Sequence, residues 1–403
     1  MMYRLSQHGV RRAWGSPGSG LPRIRSVRKT ALSLTTAAAI QIWYSEPADA
    51  ENHLDYRYES YQEEADRMEV QTHAATFEQS LLSNLTLRGE YVHDAVSGAT
   101  PTGAPPPAGS NQVPLAHMDD ERNAGFLDAA LRYGRNTTSA QFSYSLEHDY
   151  ESIGVSLTQS LDFNQKNTTL SFGYAHNFDD VFPNFWGGKD KRKNSDDLFV
   201  GVTQLLSKNA YVTANATVGD SSGYLSDPYK GVRFDGYPDP NTIFPEKRPT
   251  YKTKEIGYVS LAWYFDPLNG SAEAAYRFYH DSYDIFSHTA SLAWHQKVGK
   301  WLVLNPFFRY SRQTAASFYA TRFPGDPSDP ESPIPIPKNY SADYRLSQLE
   351  TFAYGITATL MIKERVYLDA GYNRYEMYGL DHSTSSSAYP KANTWSAGLR
   401  FLW

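Results

Sequence analysis

From residue 51 to the C-terminus, apolar and polar side chains alternate with period two, the repeat of a β-strand whose two faces meet different surroundings. In the last segment Trp395, Ala397, Leu399, Phe401 and Trp403 share one face, against Ser396, Gly398, Arg400 and Leu402 on the other. Leu170, Phe172 and Tyr174 stand against Thr169, Ser171 and Gly173, and Tyr354, Ile356, Ala358 and Leu360 against Gly355, Thr357 and Thr359. No stretch of this region offers a comparably long apolar face at helical spacing. Seven short links, near Leu82–Asn84, Gly134–Asn136, Asn164–Asn167, Ser207–Asn209, Asp266–Gly270, Val298–Lys300 and Lys363–Arg365, each join two such segments into a hairpin. Adding Asn393–Trp403 at the end and His53–Gln62 at the start predicts about sixteen strands, with about fourteen or twelve as the alternatives.

Alternation alone fits a soluble β-sandwich, whose apolar face is its core, or a transmembrane barrel, whose apolar face meets lipid. Three features choose the barrel. The segments reach the roughly 9–11 residues that a tilted strand needs to cross a bilayer. Aromatic residues gather at segment ends (Trp263, Phe265, Trp294, Trp301, Tyr372, Trp395 and Trp403), as in interfacial girdles. The short links alternate with long polar ones, Ala95–Arg122, Asp179–Ser195, Asp220–Lys252, Ala315–Asp343 and Met377–Ala392, the asymmetry of periplasmic turns and outer loops. The expected fold is all-β: one antiparallel outer-membrane β-barrel over residues 51–403.

Composition sharpens this picture. The chain is 14% aromatic, yet its mean hydropathy is −0.55. A helical membrane protein is thereby excluded, whereas a barrel, polar on half of every strand, is not. The absence of cysteine excludes a disulfide framework, Cys-based metal sites and a lipoprotein anchored through Cys. Arg23, Arg25, Arg28 and Lys29 precede the apolar run Ala31–Tyr44, and Ala48-Asp49-Ala50 closes it, the order of a secretory signal peptide cleaved after Ala50. Met1–Leu21 is too long for an ordinary leader start, which points to translation from near Val27. Losing residues 1–50 removes seven basic and two acidic residues from a chain already at −6. Nucleic acid is excluded as a partner, since phosphate contacts need clustered Lys and Arg.

At Asp94–Gly103 the chain reads DAVSGATPTG, followed by Ala104 and Pro105–Pro107, and upstream Tyr56–Val70 reads YRYESYQEEADRMEV. With the exported, alternating remainder, these blocks resemble the bacterial domain-of-unknown-function family 3570. The resemblance implies an outer-membrane location and a barrel, with no substrate, cofactor or catalytic residue to carry over. Physically, Asp94, Ser97, Gly98, Ala99, Thr100, Pro101, Thr102 and Gly103 predict a stiff outer loop. Gly98 and Gly103 permit positive φ, and the prolines rigidify the backbone. Such a loop braces the mouth, or folds inward to narrow a pore or dock a partner.

The histidines are scattered, and no HExxH, EF-hand, P-loop or GxSxG pattern occurs. The expected protein is therefore not an enzyme; a Ser-His pair such as Ser97 and His93 at the rim is the nearest approach to one. Strand parity turns Arg88, Glu90, Glu147, Glu273, Arg277, Arg309, Asp369 and Arg400 toward the lumen. There they pair with one another or set an electrostatic constriction. The acidic, proline-rich runs Phe323–Pro337 and Phe234–Asn241 are candidates for Ca²⁺, which takes oxygen ligands. Leu399, Phe401 and Trp403 form the terminal aromatic pattern expected to engage the barrel-assembly machinery. The implied partners are thus the outer-membrane lipid bilayer, that machinery and a periplasmic or surface protein. A barrel of this size predicts a channel or transport conduit; the rival reading is a non-conducting scaffold.

Overall fold

The computed structural model describes residues 52–403 except positions 66, 184–188, 240, 330, 332 and 363. The expected signal peptide and its cleavage point lie outside these residues. Among the described residues sixteen long strands close into one antiparallel barrel. They are β1 (His53–Glu63), β2 (Met68–Leu82), β3 (Leu85–Pro101), β5 (Asp120–Tyr133), β6 (Asn136–Leu146), β7 (Tyr150–Phe163), β8 (Thr168–Val181) and β9 (Lys191–Ser207). The circuit continues through β10 (Ala210–Gly223), β13 (Tyr251–Phe265), β14 (Gly270–Asp281), β15 (Phe286–Val298), β16 (Leu302–Gln313), β17 (Leu349–Ile362), β18 (Val366–Gly379) and β19 (Lys391–Leu402). Three short pieces, β4 (Leu115–His117), β11 (Gly231–Val232) and β12 (Phe244–Pro245), belong to the loops. Neighbours in sequence are neighbours in space, and β1 closes the ring on β19, with His53 opposite Leu402 and Glu63 opposite Ala392. No helix among the described residues is long and apolar enough to cross a membrane.

Closure removes every free strand edge, which a lipid environment requires because nothing there can satisfy an open row of N–H and C=O groups. The alternation then sorts side chains to the two faces. Leu157, Phe172, Ile356 and Trp395 are exposed on the outside. Their strand neighbours Thr158, Ser171 and Thr394 are buried on the inner face. All seven short links lie at one end, together with His53 and Leu402.

At the other end the strands run further than the long polar links allow. β3 extends to Pro101, β10 to Gly223, and β13 begins at Tyr251. Asp94–Pro101 is therefore strand rather than loop. Asp94 and Val96 continue the buried inner face, and the backbone pairs with β2, β5 and β4. Glu147, placed on a strand by parity, sits in the tight link between β6 and β7.

Candidate functional site: the mouth and the lumen

The long links at the loop end pack a hydrophobic body against the inner wall. Met68, Val70 and Val96 of β2 and β3 cluster with Met118, and Tyr229 of the 224–250 link packs on them. Ile256 and Tyr279 of β13 and β14 meet Ala316 and Leu346 of the 314–348 link. Val232, Phe234, Phe323 and Ala342 bring those two links together, and Tyr344, Leu349, Ala388 and Tyr389 add the 380–390 link. These apolar patches of the upper inner wall face the loops instead of water, beside buried ion pairs such as Lys254–Asp197 and Lys193–Asp179. We call this body the cap.

A buried charge cluster ties the cap together. Arg248 pairs with Glu246 at 2.6 Å and with Asp343 at 2.7 Å; Arg345 also pairs with Asp343, and with Asp227 at 2.7 Å. Ser341 Oγ donates to Glu246 at 2.5 Å. Burial alone would raise the Asp343 pKa, but Arg345, Arg248 and Lys230 outweigh it and hold the carboxyl well below the usual range. Burial likewise raises Glu246, more than Arg248 takes back. Lys230, fully buried, is drawn down to about 8 by burial and by Arg345, against Asp343, Asp227 and Glu246.

The glycine-rich motif is the clasp for this body. Lys230 Nζ donates to Thr100 Oγ1 at 3.1 Å and to the Pro101 carbonyl, and stands 5.8 Å from the Tyr344 ring. Gly231 N donates to the Thr102 carbonyl at 2.7 Å. Gly103, at φ +97°, lies so close that a Cβ would sit 2.4 Å from Gly231 O. At Gly98, φ +118°, a Cβ would fall 1.8 Å from Arg67 O, to which Ala99 N donates. Ser97 is exposed, and Asp94, buried, accepts from Thr72 Oγ1 at 2.6 Å and pairs with Arg122 at 2.7 Å. Ser97 and His93 are four residues apart on one strand, about 13 Å, and His93 Nδ1 lies 3.1 Å from Asn123 Oδ1. The structure does not assemble them into a pair.

Below the cap the inner face carries further charges. Around β1 and β19 the charges are mutually compensated. Arg400 donates to both oxygens of Asp55, at 2.6 and 2.9 Å, and Arg88 donates to Glu78 at 3.0 Å. Glu90 accepts from Thr76, Asp369 accepts from Thr359, and Arg57 lies within the field of Asp369, Glu59 and Glu90. Further charges lie on β14 and β16. Glu273 of β14 is buried on the inner face. Arg277 and Arg309 are half-buried, and each acts in the field of the other.

Ligand atoms of Asp120, Glu147 and Asp149 lie within 4.8 Å of one another, away from the acidic loops proposed for Ca²⁺. Arg122, 4.0 Å from Glu147, already supplies positive charge there. In the acidic loops the carboxylates cap their own turns: Asp239 accepts from Asn241 N and Thr242 Oγ1, and Asp326 from Ser328 N. At the short-turn end Leu399, Phe401 and Trp403 stand exposed on the outer face, with the two rings stacked at 6.0 Å.

A closed sixteen-stranded antiparallel barrel with an apolar exterior and a charged interior defines an outer-membrane β-barrel protein. The chain belongs to the family described as protein of unknown function (DUF3570), whose model matches residues 26–186 and 182–386. No curated protein matches it. Among solved structures it is similar to CdiB from Acinetobacter baumannii, at TM-score 0.50 and 8% identity over 87% of this chain and 60% of that one. It is also similar to OmpT, an outer membrane protein of Vibrio cholerae, at TM-score 0.43 and 11% identity over 90% of this chain and 100% of that one. Against the siderophore receptor PirA from Pseudomonas aeruginosa the TM-score is 0.44 at 10% identity over 88% of this chain, which spans 62% of the receptor. At such identities the likeness concerns the fold.

Proposed function

We propose that the protein is a conduit across the outer membrane whose outer mouth is held shut by the cap. The observation that carries this is the contrast along the barrel axis. The lower inner wall keeps charges and hydroxyls, as a wet passage requires, whereas apolar patches of the upper wall are covered by packed loops that ion-pair with one another. A barrel needing only to anchor itself has no use for a charged interior under a lid of packed loops. The cap is also the element on which the rival reading rests, since a permanently closed mouth suits a scaffold for a periplasmic or surface partner. In the same reading the bilayer covers the outer aromatic face, and Leu399, Phe401 and Trp403 are what the assembly machinery engages.

Planar-bilayer recording separates the two. A conduit gives small or rare conductance steps for the native protein and large, stable ones for Asp343→Asn, in which the cap loses its central carboxylate. A scaffold gives none in either protein, although both fold and show heat-modifiable migration.

A further inference from the structure

The rim at the short-turn end is built differently on its two sides. Around β13 to β19 the outer face at that level is aromatic. Trp263 stacks on Phe265 at 6.2 Å, Phe265 meets Trp294 at 5.7 Å, and Phe401 and Trp403 close the row. The turns below these rings carry both signs of charge, in Asp266, Lys300, Glu364 and Arg365. Around β5 to β10 the same level carries amides and hydroxyls instead. Thr138 Oγ1 donates to Gln159 Oε1 at 2.6 Å. Thr168 Oγ1 donates to Gln204 Oε1 at 2.7 Å and accepts from Asn164 Nδ2 at 2.9 Å. Gln159 shares its strand face with the exposed Leu157, and Gln204 shares its own with the exposed Val202, so both amides sit on the lipid-facing side.

Beneath this polar stretch three consecutive turns each present one exposed cation. Arg135 lies between β5 and β6, Lys166 between β7 and β8, and Lys208 between β9 and β10. Adjacent turns are two strands apart, roughly 10 Å, so the three span an arc of roughly 20 Å. None of these turns contains an acid. Asp162, just before the second turn, faces inward, where it pairs with Arg132 at 3.6 Å and accepts from Thr169 at 2.9 Å. The Arg135 guanidinium lies 5.1 Å from the Phe163 ring, which holds it at the rim. The arc ends at Asp266, which accepts from Asn209 Nδ2 at 2.5 Å.

Aromatic rings at strand ends mark the depth of the lipid headgroups, so both sides of the rim lie at that depth. On one side rings fill it; on the other, amides and hydroxyls stand above three cations. Guanidinium and ammonium groups at headgroup depth match the phosphodiester oxygens of a phospholipid. A periplasmic protein approaching the rim from below meets the cations but not the outward-facing Thr138 and Gln159, which the bilayer covers. We propose that Arg135, Lys166 and Lys208, with Gln159 and Gln204 above them, form a binding patch for anionic phospholipid of the phosphatidylglycerol kind. Zwitterionic headgroups gain less there, because their ammonium opposes the same cations. The patch serves a conduit and a scaffold alike.

The test is electron spin resonance of spin-labelled lipids around the folded barrel in phosphatidylcholine bilayers. Spin-labelled phosphatidylglycerol should associate several-fold more strongly than spin-labelled phosphatidylcholine, and the preference should shrink as NaCl is raised. Arg135→Gln, Lys166→Gln and Lys208→Gln in one chain should bring the two lipids close to equality. Lys300→Gln with Arg365→Gln removes two cations from the aromatic side and should keep most of the preference. Heat-modifiable migration checks that each variant folds. If the triple variant does not, Arg135→Gln with Lys208→Gln replaces it and should lose clearly more of the preference than the control pair. Equal association of both lipids with the native protein overturns the patch and leaves the three cations to an acidic periplasmic protein. An equal loss from both sets of substitutions overturns its location.

Discussion

The cap and the lower lumen use the same residue, arginine, in opposite ways. In the cap Arg248 and Arg345 each touch two carboxylates, and all three of those carboxylates are buried. In the lumen Arg277 faces another arginine and a tyrosine, in a site that solvent reaches. The first arrangement spends its electrostatics on itself and fixes three stretches of chain in one packing. The second lies on the barrel's inner wall, outside that packing. Compensation, rather than the number of charges, is what makes the arginines of the cap structural.

That comparison can be broken in several places. Asp343→Asn should have the largest effect, since removing one partner of a buried ion pair costs about 3–5 kcal/mol. Chymotryptic cleavage at Phe234, buried in the closed cap, should accelerate strongly while the barrel keeps its heat-modifiable migration. Gly98→Ala should cost about 1–3 kcal/mol, because the clasp holds that residue at φ +118° against Arg67 O. Slower closure of the cap, read by the same cleavage, checks it.

Lys230 gives a pH signature. Its folded pKa is drawn down to about 8, so between that pH and the ordinary lysine range the released cap binds a proton that the closed cap does not. Closure should therefore strengthen as pH rises through that window, and cleavage at Phe234 should slow relative to Lys230→Met at the same pH. Asp343 works at the other end: its contribution is complete above the ordinary carboxylate range and fades as pH falls below it. The smallest effect belongs to Asp180→Asn, whose partner Arg192 is exposed; removing that ion pair should change stability by no more than about 1 kcal/mol.

The barrel was largely legible in the sequence, because period two writes each strand's two environments directly into residue order. Trp395 and Leu399 against Thr394 and Arg400 is one example, and the seven short links marked where the chain reverses. The outer ends of the strands were not legible. β3 runs through Ser97-Gly98-Ala99, which reads as a turn, because the partner that stabilises it, β4, is itself part of a loop. The short outer links at 64–67, 147–149 and 282–285 lack the long polar runs that marked the others. The cap was invisible for a different reason. Asp227 and Arg345 are 118 residues apart and Arg248 and Asp343 are 95 apart, so no local pattern joins them. The one available signal was the presence of Val232, Phe234, Phe323 and Tyr340 in otherwise polar links, since a solvated loop has no reason to keep them. Parity did select Arg277 and Arg309, but it could not separate them from Arg88 or Arg400, which the same rule also selects.

The central claim, a mouth closed from outside above an open lower lumen, is tested most directly by thiol labelling, since the chain contains no cysteine of its own. Ser291→Cys places one thiol in the lumen beside the arginine pair. A membrane-impermeant maleimide added to intact cells should leave it unlabelled, should label it once Asp343→Asn is added, and should label both proteins when the periplasmic side is opened. Rapid labelling of the single variant from outside would contradict the closed cap. Failure to label from the periplasmic side would contradict the open lumen.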